Sequence, residues 1–559
     1  MTGFDCFVSV CRRIESISGS IEITGVVSGL LRSVDDDELA IVARFIMGEV
    51  FPRWTGLELG VGPNLLYMAI AKAAGIKVSQ VKDLVRDLGD VGEAARAALV
   101  NKTEVSFSSF FGGKSSISVG EVYSRFLEIA RFSGKGSQSA KVRTLQYLFS
   151  SVSPDEAVYI SRLALEELRI GVGEGIVRDA IADAFGVDKE LVERGYMLTN
   201  DLGMVACTAK RGGEAGLRGL GIQVGRPVKM MLAQVVESSE AAVSALGCVA
   251  VEWKFDGARI QVHKDSDRVI LYSRRLENVT DSLPDIVGRV RSRVVAREAI
   301  LDGEVVAIGA DGKPMAFQQL LRRFRRKHGV EGILGKVPLT LNLFDIMYMD
   351  GRSLIDLPLR ERRRFLTGAV REGDGLLLAK ETITSDPHVI DSVYADALEA
   401  GHEGVMLKNP LSVYTPGKRG RNWLKLKPIM ENLDLVVVGG EWGKGRRAHL
   451  IGSYVLACID PESRELLQIG RVGTGMSDED LKDLTEVFRE LIVSEEGRDL
   501  SFEPKIIFEV AYEEIQKSSN YSSGYALRFP RLVRVRYDKS LDDAETIDRV
   551  ESLYLRQRR

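Results

Sequence analysis

The sequence predicts a multidomain chain of three parts: an all-α region, a mixed α/β (α+β) domain, and a strand-rich domain that suits a small β-barrel. Three observations carry this reading. At 559 residues the chain exceeds what one core sustains, given about 150 residues per domain. Gly212, Gly213, Gly216, Gly219, Gly221 and Gly225 crowd residues 211–227, the composition of a boundary, and helical periodicity before them gives way to strand periodicity after them. Past Pro428 strand-like runs dominate. The domains are therefore expected at 1–225, 226–428 and 429–559.

In the helical part, Pro63 and Asn64 lead into a stretch rich in Leu, Met and Ala that ends at Ala74. Ser79 is expected to cap a helix to Leu88, and Asp155 to open one to about Ile170, with apolar residues at i, i+3 and i+4. From Cys248 the period becomes that of strands: 248–253, then 259–264, a turn at Asp265-Ser266-Asp267, and 269–273 as a hairpin. Helices at 359–366 and 391–400 alternate with strands at 299–308, 339–348 and 404–408. Beyond Pro428, strands at 433–439, 452–459, 467–472, 505–512 and 531–536 surround one helix at 478–492. About five strands and a helix suit a barrel of the oligonucleotide-binding (OB-fold) kind.

Composition removes several classes. Hydrophobic residues at 45% and charged residues at 28% are near globular averages, so each domain can build a core. The apolar stretches stop well short of the roughly 18 residues that cross a bilayer. Residues 1–10 carry Asp5 and no basic residue before a short apolar run, the wrong charge order for a secretory signal, so a cytoplasmic location is expected. Five cysteines without a C-x-x-C pair leave neither a zinc ribbon nor a disulfide framework. A net charge of −3 argues against a uniformly basic coat, although a local patch can still bind phosphates.

Gly113-Lys114-Ser115 ends like a phosphate loop, but the glycine required five residues before Gly113 is Ser108. Gly470 to Gly475 has the wrong glycine spacing for a dinucleotide loop. The informative segment is Glu252-Trp253-Lys254-Phe255-Asp256-Gly257-Ala258-Arg259, which sets a lysine at the end of an apolar strand. An amine there can attack an electrophile once it loses its proton. Taken alone, the segment reads more readily as a solvated Lys-Asp pair.

Further segments recur in order: Ser273-Arg274-Arg275 with Glu277-Asn278-Val279-Thr280; Asp302-Gly303-Glu304; Phe344-Asp345-Ile346 with Tyr348, Asp350 and Gly351; and Glu403-Gly404-Val405-Met406-Leu407-Lys408. Lys418-Arg419-Gly420 then leads to Trp423-Leu424-Lys425-Leu426-Lys427, and Arg528-Phe529-Pro530-Arg531 runs through Arg534, Arg536, Asp538 and Lys539. Together with the lysine segment these resemble the six motifs of ATP-dependent DNA ligases of the archaeal and eukaryotic replicative type. Glu167-Leu168-Arg169-Ile170-Gly171-Val172 and Pro227 to Ala233 extend the resemblance over essentially the whole chain.

The resemblance implies that Lys254 takes AMP from ATP, passes it to a 5′-phosphate at a nick in double-stranded DNA, and that a 3′-hydroxyl then displaces it. It implies further that Phe344 stacks on adenine while the chain around Glu252 and Lys254 reads the base edge. Arg259 and Glu304 would hold ribose, Arg274 and Arg419 would flank the phosphate, and Lys425 and Lys427 would neutralise it. Glu403, with Glu304, would bind Mg²⁺ or Mn²⁺, and Arg528, Arg531 and Lys539 would meet pyrophosphate. Such ligases carry a clamp-binding peptide where Phe110 and Phe111 stand here, without its glutamine, so a sliding clamp is an expected partner or the pair is core. The enzyme is expected to act as a monomer in replication, repair and recombination.

Individually, Phe344 and Glu304 could be core residues, and His263, His328, His388, His402 and His449 form no metal spacing and read as bystanders. The basic run from Arg322 to His328 is either a solvated helix face or a phosphate contact. RNA ligation or capping shares the lysine chemistry without this helical region. NAD-dependent ligation brings a cysteine zinc cluster, and a non-catalytic DNA-binding scaffold would have no need of intact Lys254, Glu403, Lys425 and Arg531.

Overall fold

The computed structural model describes residues 1–100, 117–309, 312–315, 317–324, 337–428, 431–443 and 447–557. Phe110 and Phe111, residues 325–328 of the basic run, and the side chain of Arg419 lie outside the described residues. The chain separates into two compact units, Met1–Leu426 and Lys427–Arg559. The boundary expected near 225 falls inside the first.

The first unit opens with helices that include Phe4–Glu15, Pro63–Ala74, Val78–Leu88, Val119–Arg131, Pro154–Ala164, Lys189–Thr199 and Leu202–Arg218. Phe4, Phe7, Phe45 and Phe126 are fully buried at their centre, with neighbouring rings 5.5 to 6.2 Å apart. Three boundaries differ from expectation. Val78–Leu88 starts ahead of Ser79, and the Gln80 side chain accepts from the Lys77 N–H at 2.9 Å. Ser153 and Glu156 form a capping box, so the next helix begins at Pro154. It ends at Ala164 rather than near Ile170, because Glu166 and Arg169 take φ of 54° and 59°, a conformation a right-handed helix cannot continue through. The glycine-rich boundary is helical only as far as Arg218, where Leu202–Arg218 ends after a break at Gly213.

Two sheets follow. The strands are β1 (Leu232–Val235), β2 (Val249–Lys254), β3 (Ala258–Asp265), β4 (Arg268–Ser273), β5 (Glu298–Ala307), β6 (Leu339–Met349), β7 (Arg352–Ser353), β8 (Leu376–Leu378), β9 (Glu381–Thr384), β10 (Gly404–Lys408) and β11 (Arg419–Leu426). One sheet has the order β1-β11-β10-β2-β9; the other runs β4-β3-β5-β6-β7, with β8 beside β6. β2, β5 and β6 bury successive residues along most of their length and so are covered on both faces. Phe344, Trp423, Met347, Ile300 and Tyr414 form one further buried cluster. Helix Phe317–Phe324 carries Arg323, which is 1% exposed and bonded to Asp285 at 2.6 Å and to the Val337 carbonyl at 3.2 Å. That residue of the basic run therefore belongs to a buried ion pair, not to a solvated face.

The second unit holds β12 (Leu433–Trp442), β13 (Ile451–Ile459), β14 (Leu466–Val472), β15 (Ile492–Glu496), β16 (Asp499–Phe502), β17 (Ile507–Ala511), β18 (Glu514–Lys517), β19 (Tyr525–Arg528) and β20 (Arg531–Val535). Seven of these join one sheet in which β12 pairs with β13, β16 and β17, while β18 and β19 form a separate hairpin. The expected helix ends at Arg489 rather than at Ile492, where β15 already begins. Leu484 and Phe488 of that helix pack into the sheet's core with Tyr454 and Phe508. The pairings among described residues make a sheet-rich fold and not a closed ring.

Candidate active site

β2 delivers Lys254 as its last residue, and antiparallel pairing sets it opposite Gly404 on β10. Just outside that pair, the Glu403 N–H donates to the Lys254 carbonyl at 3.0 Å, and the Lys254 Nζ forms an ion pair with the Glu403 carboxylate. Two residues earlier, on the same face of β2, stands Glu252, only 2% exposed. It is bonded to Lys408 Nζ at 2.5 Å. That ammonium lies 4.5 Å from the Phe344 ring centroid and 4.4 Å from that of Trp423. The Arg259 guanidinium is 5.3 Å from the Phe344 ring.

The sharp bend after Lys254 depends on Gly257, where a Cβ would fall 2.4 Å from the Val305 carbonyl oxygen and 2.9 Å from Glu304 Cγ. Beyond it, β3 sets Arg259 opposite Glu304 on β5. Burial pushes the Glu304 carboxyl up to about 8 against the pull of Lys254 and Arg259, with Glu403 and Asp256 adding to the rise. Lys425 sits on β11 opposite Met406 of β10 and beside Val235 of β1.

Lys254, Glu252, Arg259, Glu304, Phe344, Glu403 and Lys425 are thus all carried by the two sheets of the first unit. Arg274 is exposed in the turn after β4, and Arg419 opens β11. Lys427 and Arg531 belong to the second unit, where Lys427 bonds Glu513 at 3.2 Å and Arg531 is exposed on β20. There Lys539 and Arg536 pair with Asp434 at 2.6 and 3.3 Å, and Arg528 with Glu514 at 3.1 Å.

Sequence reasoning gave no role to Lys408, Asp302, Tyr414 or Trp423. A lone lysine ending the apolar run Gly404–Lys408 was the available signal, since a buried ammonium needs a partner. Two of the supposed bystanders are also placed. His402 lies against Phe255 and Trp253, with ring centroids 5.1 and 5.2 Å apart, and burial holds it down to about 4. His263 is buried and hydrogen-bonded at both ring nitrogens.

The polar side chains around Phe344 suit a nucleotide. Glu252 Oε1, Arg259 Nε and Trp423 Nε1 are buried there without hydrogen-bond partners, which is costly unless a ligand supplies them. For a metal, no three His, Cys, Asp or Glu residues converge among the described residues. Glu403 and Glu304 offer the one or two carboxylates that suit Mg²⁺ when phosphate oxygens complete its shell.

Three family models match the chain in order: DNA ligase N terminus over 3–182, ATP dependent DNA ligase domain over 230–427, and ATP dependent DNA ligase C terminal region over 447–539. A DNA ligase of Methanococcoides burtonii is 56% identical over 566 residues, covering 100% of both chains. A DNA ligase of Archaeoglobus fulgidus is 52% identical over 98% of each. The solved structure Pmar-Lig_Pre is similar in fold, with a TM-score of 0.58 over 95% of this chain and 99% of that one at 17% identity. With archaeal DNA ligases sharing half of its residues from end to end, the chain belongs to the ATP-dependent DNA ligases.

Proposed function

We propose that Lys254 is the nucleophile with which this enzyme seals nicks in duplex DNA. What supports it is the meeting of Lys254 and Glu403 at the end of β2, in a site where Glu252 Oε1 and Arg259 Nε are buried without hydrogen-bond partners. The Nζ lone pair attacks the α-phosphorus of ATP; the bond to the bridging oxygen breaks, and pyrophosphate leaves. A DNA 5′-phosphate then displaces the lysine from that phosphorus. Finally the 3′-hydroxyl attacks the 5′-phosphorus, and AMP departs. Positioning and charge neutralisation carry such transfers.

Phe344 stacks the base, Glu252 reads its edge, and Arg259 with Glu304 holds the ribose. Arg274, Arg419, Lys425 and Lys427 counter phosphate charge, and Arg531 with Arg528 and Lys539 meets pyrophosphate. Glu403 and Glu304 would hold Mg²⁺ or Mn²⁺, which would withdraw charge from phosphate oxygens. Residues 1–225 grip DNA, 226–428 carry the nucleotide chemistry, and 429–559 form an OB-fold domain with the sixth motif. The family resemblance also supports cytoplasmic action as a monomer, with a sliding clamp engaging Phe110 and Phe111.

The test uses ATP labelled at the α-phosphate. Lys254→Arg should form no covalent adenylate, because a guanidinium stays protonated and offers no lone pair, yet it should retain measurable sealing of a nick already carrying 5′-AMP. An adduct formed near the parental rate, or one mapping to Lys425, would sink the assignment.

A further inference from the structure

Between the helical region and β1, the segment 225–231 crosses β3 as a strap held by side chains. Three alternate residues of β3, on one face, grip its main chain in turn. His263 Nδ1 accepts from the Gly225 N–H at 3.0 Å. Gln261 accepts from the Val228 N–H at 2.8 Å and donates to the Val228 carbonyl at 3.2 Å. Arg259 Nη1 donates to the Met231 carbonyl at 2.6 Å. On the strap's other side the Met197 carbonyl accepts from the Lys229 N–H at 2.9 Å, and Asn200 Nδ2 donates to the Pro227 carbonyl at 2.5 Å.

Tyr414 ties this strap to Asp302 and Arg259. Its hydroxyl accepts from the Met231 N–H at 3.1 Å and donates to Asp302 Oδ2 at 2.6 Å, the oxygen that also accepts from Arg259 Nη2 at 2.7 Å. Asp302, Gln261 and His263 are at most 1% exposed and Tyr414 is 2% exposed, so water does not substitute for any of these partners. Two ends of the Arg259 guanidinium are thereby fixed, one by Asp302 and one by Met231, while its buried Nε keeps no partner and the group lies over Phe344.

We infer that Tyr414 is a positioning residue for the adenylation step: by holding the Met231 peptide and Asp302 together, it aims the free Nε of Arg259 at the ribose and so sets the enzyme's discrimination for ATP over deoxyribose analogues. Without the hydroxyl, Met231 loses the acceptor for its N–H and Asp302 loses one of two donors to Oδ2. The peptide that anchors Nη1 can then turn, and Arg259 keeps only its Asp302 anchor. Gln261 contributes in the same direction by fixing the strap one step upstream.

This inference rests on the reading of Arg259 as the ribose contact, and the experiment separates the two. Turnover by the full chain on excess nicked duplex is measured with ATP, 2′-deoxy-ATP and 3′-deoxy-ATP for the parent, Arg259→Lys, Tyr414→Phe and Gln261→Met. Tyr414→Phe should raise the KM for ATP roughly tenfold, the size of one buried hydrogen bond. Its kcat should stay within about threefold, and its preference for ATP over the discriminated analogue should shrink by a similar factor. Gln261→Met should move both quantities the same way, and it decides the matter if Tyr414→Phe does not fold. If Arg259→Lys leaves the preference intact, the ribose reading falls and the inference with it. If Arg259→Lys loses the preference while Tyr414→Phe and Gln261→Met keep it, or if the latter two lower kcat alone, the positioning role is overturned and the ribose reading stands.

Discussion

Acid should loosen the strap, and one histidine sets how much. Burial holds His263 down to about 3 from its ordinary 6.5. Its surroundings are the Tyr272 ring at 5.1 Å, the Gln261 Oε1 acceptor at Nε2 and the Gly225 N–H, which loses its acceptor when Nδ1 takes a proton. Because the folded pKa lies below the unfolded one, the unfolded chain binds more protons between pH 3 and 6.5. Stability from this group is therefore complete above about pH 6.5 and is lost as the pH falls. Two-state linkage makes the loss about 2 kcal/mol at pH 5.0, against under about 0.1 kcal/mol at pH 7.5. His263→Asn can keep the acceptor for Gly225 and cannot titrate. Urea unfolding followed by tryptophan fluorescence is suited to the measurement, since Trp54, Trp253 and Trp423 all lie in the first unit. Between pH 7.5 and 5.0 the parent should lose about 2 kcal/mol more than His263→Asn. Parallel pH dependences for the two proteins would refute the reasoning.

Two further perturbations test the frame around Phe344. Arg362 and Asp345 are both fully buried and joined by bonds of 2.8 and 2.9 Å, so Arg362→Ala should cost about 3–5 kcal/mol by stranding a buried carboxylate, read as a lowered urea midpoint at unchanged m-value. Glu252→Gln leaves Lys408 without its carboxylate at 1% exposure; it should destabilise the first unit by about 3 kcal/mol and cut α-phosphate labelling at least tenfold. Adding Lys408→Met should recover most of the stability and none of the labelling, and an additive double mutant would contradict the coupling.

How far the site could be read in advance depended on what each residue answers to. Lys254 and Glu403 were legible because ordered motifs flank them, and β10 spans the residues 404–408 expected of it. The end of Pro154–Ala164 was not, because a left-handed turn at Glu166 leaves no apolar period to mark it. β15, β16, β18 and β19 were missed for a related reason: each is only four or five residues long, too short for alternation to stand out. Metal spacing says nothing of His263, whose place follows from alternating with Gln261 and Arg259 along one strand face. Tyr414 offered no local signal, its partners being Met231 and Asp302, over a hundred residues away.

The strap also stores length. Its grips at Gly225, Val228 and Met231 match His263, Gln261 and Arg259, so six peptide steps cover four steps of strand. Four strand steps rise roughly 13 Å, while six extended steps would reach roughly 20 Å. About a third of the crossing is therefore slack, kept in by hydrogen bonds instead of by covalent reach. Were those bonds to let go, the helical region could travel several ångströms from the sheets without any peptide being pulled taut. The contacts that steady Arg259 over Phe344 serve equally as the catch on a spool.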